Sequence, residues 1–169
     1  MKGTSESAMT ELEKRMHRCC FAGHRPEKID HTEQEIKHWL SRRIDLAIMY
    51  GFVTFITGCC MGVDIWAAEV VIEKRKENPA LHLIAAVPWP GFPRQWSEEW
   101  RARYEQLLKD ADLVVNVSKY YRKDVFELRN RWMVDHSNRV IAFYNEKAGG
   151  SRHLINYADG QWVDVVRNE

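Results

Sequence analysis

Residues 57–64 (TGCCMGVD) are the segment of this chain best suited to bind a charged small molecule. The apolar residues 52–56 before them predict a buried strand, and the apolar periodicity of residues 65–77 predicts a helix. A turn that contains glycine between a strand and a helix directs backbone N–H groups toward an anion. The spacing matches neither a Walker A motif nor the G-x-G-x-x-G motif, so the segment alone is a weak signal.

Within this segment, Thr57 precedes two glycines and an aspartate. Gly58 and Gly62 have no side chain to keep a ligand from the backbone. Asp64 begins the predicted helix, where the helix dipole favours a carboxylate and its oxygens can cap free N–H groups. Because a carboxylate repels phosphate, we expect a ribose hydroxyl near Asp64 and a phosphate on the backbone amides. The alternative is an ordinary turn in which Asp64 is only a cap.

A second group of candidate ligands follows the predicted strand at residues 18–22. Gly23, His24 and Arg25 stand at its carboxyl end, where open α/β sheets bind ligands. Arg25 could bind a phosphate through two hydrogen bonds, and His24 could donate a hydrogen bond or transfer a proton. The alternative is a surface loop with solvated basic side chains.

A second glycine turn, formed by Gly149, Gly150 and Ser151, comes before a short predicted helix. Ser151 is expected to cap this helix. Because the backbone amides of such a turn can surround an anion, the turn predicts a second phosphate contact.

Asp124 and Glu127 have the spacing of a capping box, which predicts that another helix begins just after Asp124. Arg129 and Asn130 lie near its first turns, from which they could reach the strand ends. The alternative for Arg129 is a surface ion pair.

Two aromatic segments have no assigned role in these motifs. Residues 88–96 (PWPGFPRQW) could form an aromatic wall for a base or a partner chain, which favours self-association into a homo-oligomer. They could equally fold back over the sheet edge. Residues 119–123 (KYYRK) are basic and aromatic, and either contact a ligand or form a solvated loop.

The composition is that of a soluble globular protein with 169 residues and a net charge of +1. This charge gives no general attraction to nucleic acid or to an anionic membrane. No apolar run is long enough to span a membrane, and residues 1–16 lack the apolar centre of a signal peptide, so the cytoplasm is the expected compartment. We expect residues 1–16 to form a polar arm and residues 17–169 a single domain.

The four cysteines form two adjacent pairs, at positions 19–20 and 59–60. The C-x-x-C spacing of a zinc site does not occur, and neighbouring side chains on a strand point to opposite faces. We therefore expect small buried thiols and no metal site.

Strands and helices alternate along the whole chain, which predicts an α/β fold. The predicted strands are residues 18–22, 52–56, 81–87, 112–117 and 139–144, with a final edge strand at 162–166. Such a sheet of five to six strands is mainly parallel and has helices on both faces. Since its carboxyl-end loops emerge on one edge, the glycine, basic and aromatic residues are expected to form one nucleotide-sized pocket.

In their order and spacing, these motifs resemble the YpsA-like branch of the SLOG superfamily, which is related to the LOG (lysine-decarboxylase-like) and DprA proteins. The resemblance extends over residues 18–158 and includes Met133. It implies a Rossmann-like fold that binds, or senses, a nucleotide-derived ligand such as NAD or ADP-ribose, with no other cofactor required. By the same resemblance, Gly58, Gly62 and Asp64 would contact phosphate and ribose, and residues 149–151 a second phosphate.

Two other functions compete with this one. A related branch of the superfamily hydrolyses the N-glycosidic bond of nucleoside monophosphates, with a glutamate in the helix after its glycine turn. Here that helix has no glutamate, so catalysis would depend on Asp64 with His24 or Arg129. The DprA relatives suggest a single-stranded DNA-binding module, which the near-neutral charge disfavours. A non-catalytic nucleotide-binding protein is therefore the preferred prediction.

Overall fold

The computed structural model describes residues 9–93 and 95–168. The strands are β1 (Arg18–Gly23), β2 (Thr54–Thr57), β3 (His82–Val87), β4 (Leu113–Asn116), β5 (Arg139–Phe143) and β6 (Asp164–Arg167). The helices are α1 (Glu11–Arg15), α2 (Glu33–Met49), α3 (Val63–Arg75), α4 (Glu98–Asp110), α5 (Val125–Asp135) and α6 (Gly150–Gly160). A 3₁₀ turn, Pro26–Lys28, follows β1.

The six strands form one sheet in the order β4-β3-β2-β1-β5-β6. Every neighbouring pair is parallel, which confirms the predicted α/β, Rossmann-like architecture. The strand order reverses at β1. From β1 the chain moves outward on one side through β2, β3 and β4, and then returns to add β5 and β6 on the other side of β1. In open parallel sheets, ligands bind at the carboxyl edge beside such a reversal.

Helices cover both faces of the sheet, as predicted. Alternate residues of β1 point to opposite faces: Phe21 joins the apolar layer beneath α2, α3 and α4, and Cys20 joins the layer beneath α5 and α6. On the first face Leu40 of α2 packs in the same layer, and on the second Met133 of α5 does so. Because both faces are buried, the central strands are almost continuously apolar.

Side-chain caps form at the amino ends of α2 and α4, whereas the capping box predicted for α5 does not form. Thr32 Oγ1 accepts the Glu35 N–H at 3.2 Å while Glu35 accepts the Thr32 N–H at 3.0 Å, which is a capping box at the start of α2. Ser97 caps α4. Asp124 makes no side-chain cap to α5, because its carboxylate pairs with Arg122 at 3.2 Å.

The aromatic segment after β3 packs inward over the core. Trp89 and Phe92 are buried, with their rings 5.2 Å apart, and Phe92 packs edge-on against Trp96 and Tyr104. The segment therefore folds back on the protein, as the second interpretation predicted, but it covers the core beside α4 and not the sheet edge. The homo-oligomer stays a prediction, and two of the three aromatic rings on which it rested are buried within the chain.

Residues 1–8 of the predicted arm lie outside the described residues, and the following residues form α1. In the described part of the chain, no helix is long and apolar enough to cross a membrane. No group of three histidine, cysteine or acidic side chains among those residues is placed to hold a metal ion.

Candidate functional site

A cavity of about 270 Å³ lies at the carboxyl end of β1, between α5, α6 and the loop that follows β2. It is lined by Phe21, Ala22, Gly23, His24, Arg25, Lys28, Cys60, Asp64, Phe126, Arg129, Asn130, Met133, Gly150, Ser151 and Leu154. These residues come from four separate parts of the chain, and the parallel sheet brings them together.

Asp64 is the carboxylate among the lining residues. It lies in the first turn of α3, is buried, and accepts the Cys60 N–H at 3.3 Å. It therefore caps the loop before the helix, which differs from the predicted cap on the helix itself. Burial raises the pKa of Asp64 to about 6, although Arg129 and the Cys60 N–H both oppose the increase. The carboxylate is consequently mostly ionised at pH 7.

Arg129 projects from α5 and is buried near Asp64, and its guanidinium donates hydrogen bonds to two neighbouring groups. Its Nη1 donates to the Gly58 carbonyl oxygen at 2.6 Å, and its Nε donates to Asn130 Oδ1 at 3.0 Å. The same Nη1 lies 3.5 Å from the sulfur of Cys60. The alternative of a surface ion pair is therefore wrong, because the guanidinium forms part of the cavity wall.

The two glycines after β2 allow close packing between chain segments. A Cβ on Gly58 would lie 2.9 Å from Asp64 Oδ2. A Cβ on Gly62, which has a φ of +91°, would lie 2.6 Å from the carbonyl oxygen of His24. Because the space beside both glycines is occupied by protein atoms, neither glycine lines the cavity. Each allows the segments that form the cavity wall to pack closely.

Thr57 is also used internally. Its hydroxyl donates to the carbonyl oxygen of Asp64 at 2.8 Å and accepts the Cys59 N–H at 3.2 Å. The side chain is fully buried. Thr57 thus holds the start of α3 against the end of β2.

The amino end of α6 opens onto the cavity through Gly150 and Ser151, while Gly149 precedes the helix with a φ of +146°. Ser151 makes no capping hydrogen bond, contrary to the prediction, and is buried instead. Asn130 Nδ2 donates to the Gly150 carbonyl oxygen at 3.4 Å and so connects α5 to α6. The partial positive charge of this helix end favours an anion in the cavity.

His24, Arg25 and Lys28 form the opposite side. His24 is buried, stacks on Tyr144 with ring centres 5.3 Å apart, and has no hydrogen-bond partner for Nε2 within the described part of the chain. Burial, with a smaller contribution from Lys28 and Lys147, lowers the pKa of His24, which favours the neutral form of the ring. Arg25 and Lys28 are exposed at the mouth.

The cavity brings together most of the residues that the sequence predicted as ligands. Those that line it are Gly23, His24, Arg25, Asp64, Arg129, Asn130, Gly150 and Ser151. Those that do not line it are Thr57, Gly58, Gly62 and Gly149. The second set supports the loops from which the first set projects.

Sequence reasoning missed Lys28, Cys60, Phe126 and Leu154 as lining residues. For Phe126 a signal was available, because Phe126, Arg129, Asn130 and Met133 recur at the spacing of one helix face. For Lys28 there was none, since its position depends on the 3₁₀ turn after β1.

Comparisons with known proteins agree with this architecture. The family model described as the YspA SLOG family (YpsA) matches residues 19–160. UPF0398 proteins from Bacillus cereus and Bacillus thuringiensis are 35% identical over 131 residues, which cover 76% of this chain and 71% of each relative.

Two solved structures share the fold at low sequence identity. The structure of DprA from Streptococcus pneumoniae is similar with a TM-score of 0.62 and 15% identity, over 90% of this chain and 50% of that one. Helicobacter pylori DprA, described for its single-stranded DNA binding mode, has a TM-score of 0.60 and 20% identity, over 93% and 66%. This chain thus corresponds to half to two thirds of those proteins.

Proposed function

Because this chain belongs to the YspA SLOG family, we propose that it binds a nucleotide-derived small ligand in the cavity at the carboxyl edge of its sheet. One observation carries the proposal: a helix amino end and the cations Arg25 and Lys28 share a cavity with the carboxylate of Asp64. A phosphate matches the first group and a ribose hydroxyl matches the second, so both parts of a nucleotide find complementary chemistry.

In the proposed complex, the phosphate contacts the N–H groups at the start of α6, at Gly150 and Ser151. Lys28 lies near this end, because a Cβ on Gly149 would be 3.5 Å from its Nζ. The ribose hydroxyls are placed near Asp64, which accepts hydrogen bonds when ionised. Arg129 keeps that carboxylate charged, since its guanidinium opposes the effect of burial on the Asp64 pKa.

The size of the cavity limits how much of the ligand is enclosed. At about 270 Å³ it lies just below the roughly 300–1,000 Å³ typical of ligand pockets. One nucleotide unit occupies such a volume, and the rest of a larger ligand such as NAD or ADP-ribose extends from the mouth. No additional cofactor is required for binding of this kind.

Isothermal titration calorimetry with AMP, ADP-ribose and NAD tests the proposal. We expect the Lys28→Glu variant to lose at least about tenfold in affinity, because a rim cation becomes an anion beside the phosphate. Lys109→Glu, the same change on the exposed side of α4, is the matched control and should bind as the wild type does. Absence of binding of all three nucleotides to the wild-type protein contradicts the proposal.

A nucleotide N-glycosidase is the second candidate, and the environment of Asp64 favours it. A buried carboxylate whose pKa is about 6 is the kind of group that stabilises a developing oxocarbenium ion or transfers a proton. Release of free adenine from AMP, measured by chromatography and abolished in Asp64→Asn, would establish catalysis. No release from a panel of nucleoside monophosphates would leave binding alone.

A further inference from the structure

Ring contacts connect the cavity wall, through the buried ring of Trp89, to an exposed tyrosine. Phe126 lines the cavity and is 37% exposed. Its ring lies 5.8 Å from that of Trp89, which lies 5.2 Å from the ring of Tyr121. Tyr121 and Tyr120 are 55% and 66% exposed. Two ring-to-ring steps therefore lead from the cavity to Tyr121, and Tyr120 is its neighbour in the chain.

Hydrogen bonds tie down both ends of the segment that presents these tyrosines. Ser118 Oγ donates to the Tyr120 carbonyl oxygen at 2.7 Å, and the Ser118 N–H donates to the Pro88 carbonyl oxygen at 3.0 Å. On the far side, the Val125 N–H donates to the Arg122 carbonyl oxygen at 3.1 Å. Since the backbone is fixed at both ends, a ligand that stacks on Tyr121 has little ordering of the chain to oppose it.

The charges around the tyrosines suit phosphate. Lys119 and Lys123 flank the pair and are exposed, and Arg122 beside them pairs with Asp124. Exposed aromatic rings interleaved with cations are the arrangement by which proteins stack nucleobases and neutralise the phosphates that link them.

We propose that the ligand of the cavity carries a second nucleobase, joined through phosphate to the enclosed nucleotide unit, and that this base stacks on Tyr120 and Tyr121. The inference rests on the proposed function, because the enclosed unit provides the anchor. It explains how a cavity of about 270 Å³ serves a ligand larger than one nucleotide. A dinucleotide and single-stranded nucleic acid share this chemistry.

Calorimetry with AMP, NAD, the phosphodiester dinucleotide pApA and a ten-residue oligoadenylate tests the inference. The protein is compared with the Tyr120→Ala/Tyr121→Ala variant and with Tyr120→Phe/Tyr121→Phe, which keeps both rings. We expect the wild type to bind NAD or pApA about tenfold more tightly than AMP, as one stacked base contributes. The alanine variant should lose this gain while binding AMP unchanged, and the phenylalanine variant should retain it.

The outcomes separate the inference from the function on which it rests. If AMP binds and neither NAD nor pApA binds more tightly, or if the alanine variant weakens AMP equally, the second-base subsite is wrong and the cavity proposal stands. If none of the probes binds, both are wrong. A further gain for the oligoadenylate identifies nucleic acid as the source of the second base, and equal affinity with pApA identifies a dinucleotide.

Discussion

Arg129 donates a hydrogen bond of 2.6 Å to the carbonyl oxygen of Gly58, although 71 residues separate them in sequence. The bond fastens α5 to the loop after β2 and fixes a buried positive charge next to Asp64. Because Nε of the same guanidinium is bound to Asn130, the wall of the cavity is organised before any ligand arrives. Such preorganisation reduces the entropy lost on binding.

Removing this charge should change the ionisation of its neighbour. In Arg129→Met, we expect the pKa of Asp64 to rise further above its value of about 6, because burial then acts without the opposing guanidinium. The carboxyl carbon chemical shift, followed by NMR across pH 4 to 9, measures it. Arg131→Met removes an exposed arginine paired with Glu127 and is the control. An unchanged or lower Asp64 pKa in the first variant contradicts the description of the site.

The same carboxylate should make stability depend on pH. The folded protein holds the Asp64 proton more tightly than the unfolded chain, so this group stabilises the fold below pH 4 and loses that contribution as the pH rises through about 6. Asp64→Asn should therefore gain up to about 3 kcal/mol in free energy of unfolding at pH 7.5, with the gain shrinking toward pH 4.

Urea denaturation at several pH values measures this gain. The exposed residue Asp30 provides the matched control, since Asp30→Asn should change stability by no more than about 0.5 kcal/mol. A loss of stability in Asp64→Asn at pH 7.5 would show that the charge is better compensated than its burial indicates.

The tight contact behind the cavity can be tested with two glycines of similar φ. Gly62→Ala combines an unfavourable φ of +91° with a Cβ placed 2.6 Å from the His24 carbonyl oxygen, and should cost about 3 kcal/mol. Gly51→Ala has a φ of +94° and open space, and should cost about 1 kcal/mol. Thermal unfolding compares them, and equal losses would mean that the contact is relaxed in solution.

Two serines at helix starts should respond in opposite ways to the same substitution. Ser97 accepts the Trp100 N–H, so Ser97→Ala should cost about 1 kcal/mol of stability without changing nucleotide affinity. Ser151 makes no cap and lines the cavity, so Ser151→Ala should barely change stability while weakening ligand binding. Denaturation and calorimetry on both variants provide the four values. A large loss of stability in Ser151→Ala would show a capping role after all.

The amino-acid sequence by itself determined the architecture, because apolar periodicity reports which residues must be buried. The capping box of Thr32 and Glu35 at the start of α2 is a pattern of the same kind, since it depends only on residues that are close in sequence. The alternation of strands and helices placed the glycine and basic loops on one edge of a parallel sheet. The position of the cavity followed from this topology.

Only the tertiary structure decided which of those residues face a ligand. Gly58 and Gly62 share the sequence pattern of an anion-binding turn, yet their space is taken by Asp64 and by the His24 backbone. Lys28 and Phe126 enter the cavity through the path of a turn and the rotation of α5. These outcomes depend on contacts between segments distant in sequence. A local pattern carries no information about which atoms arrive from elsewhere in the chain.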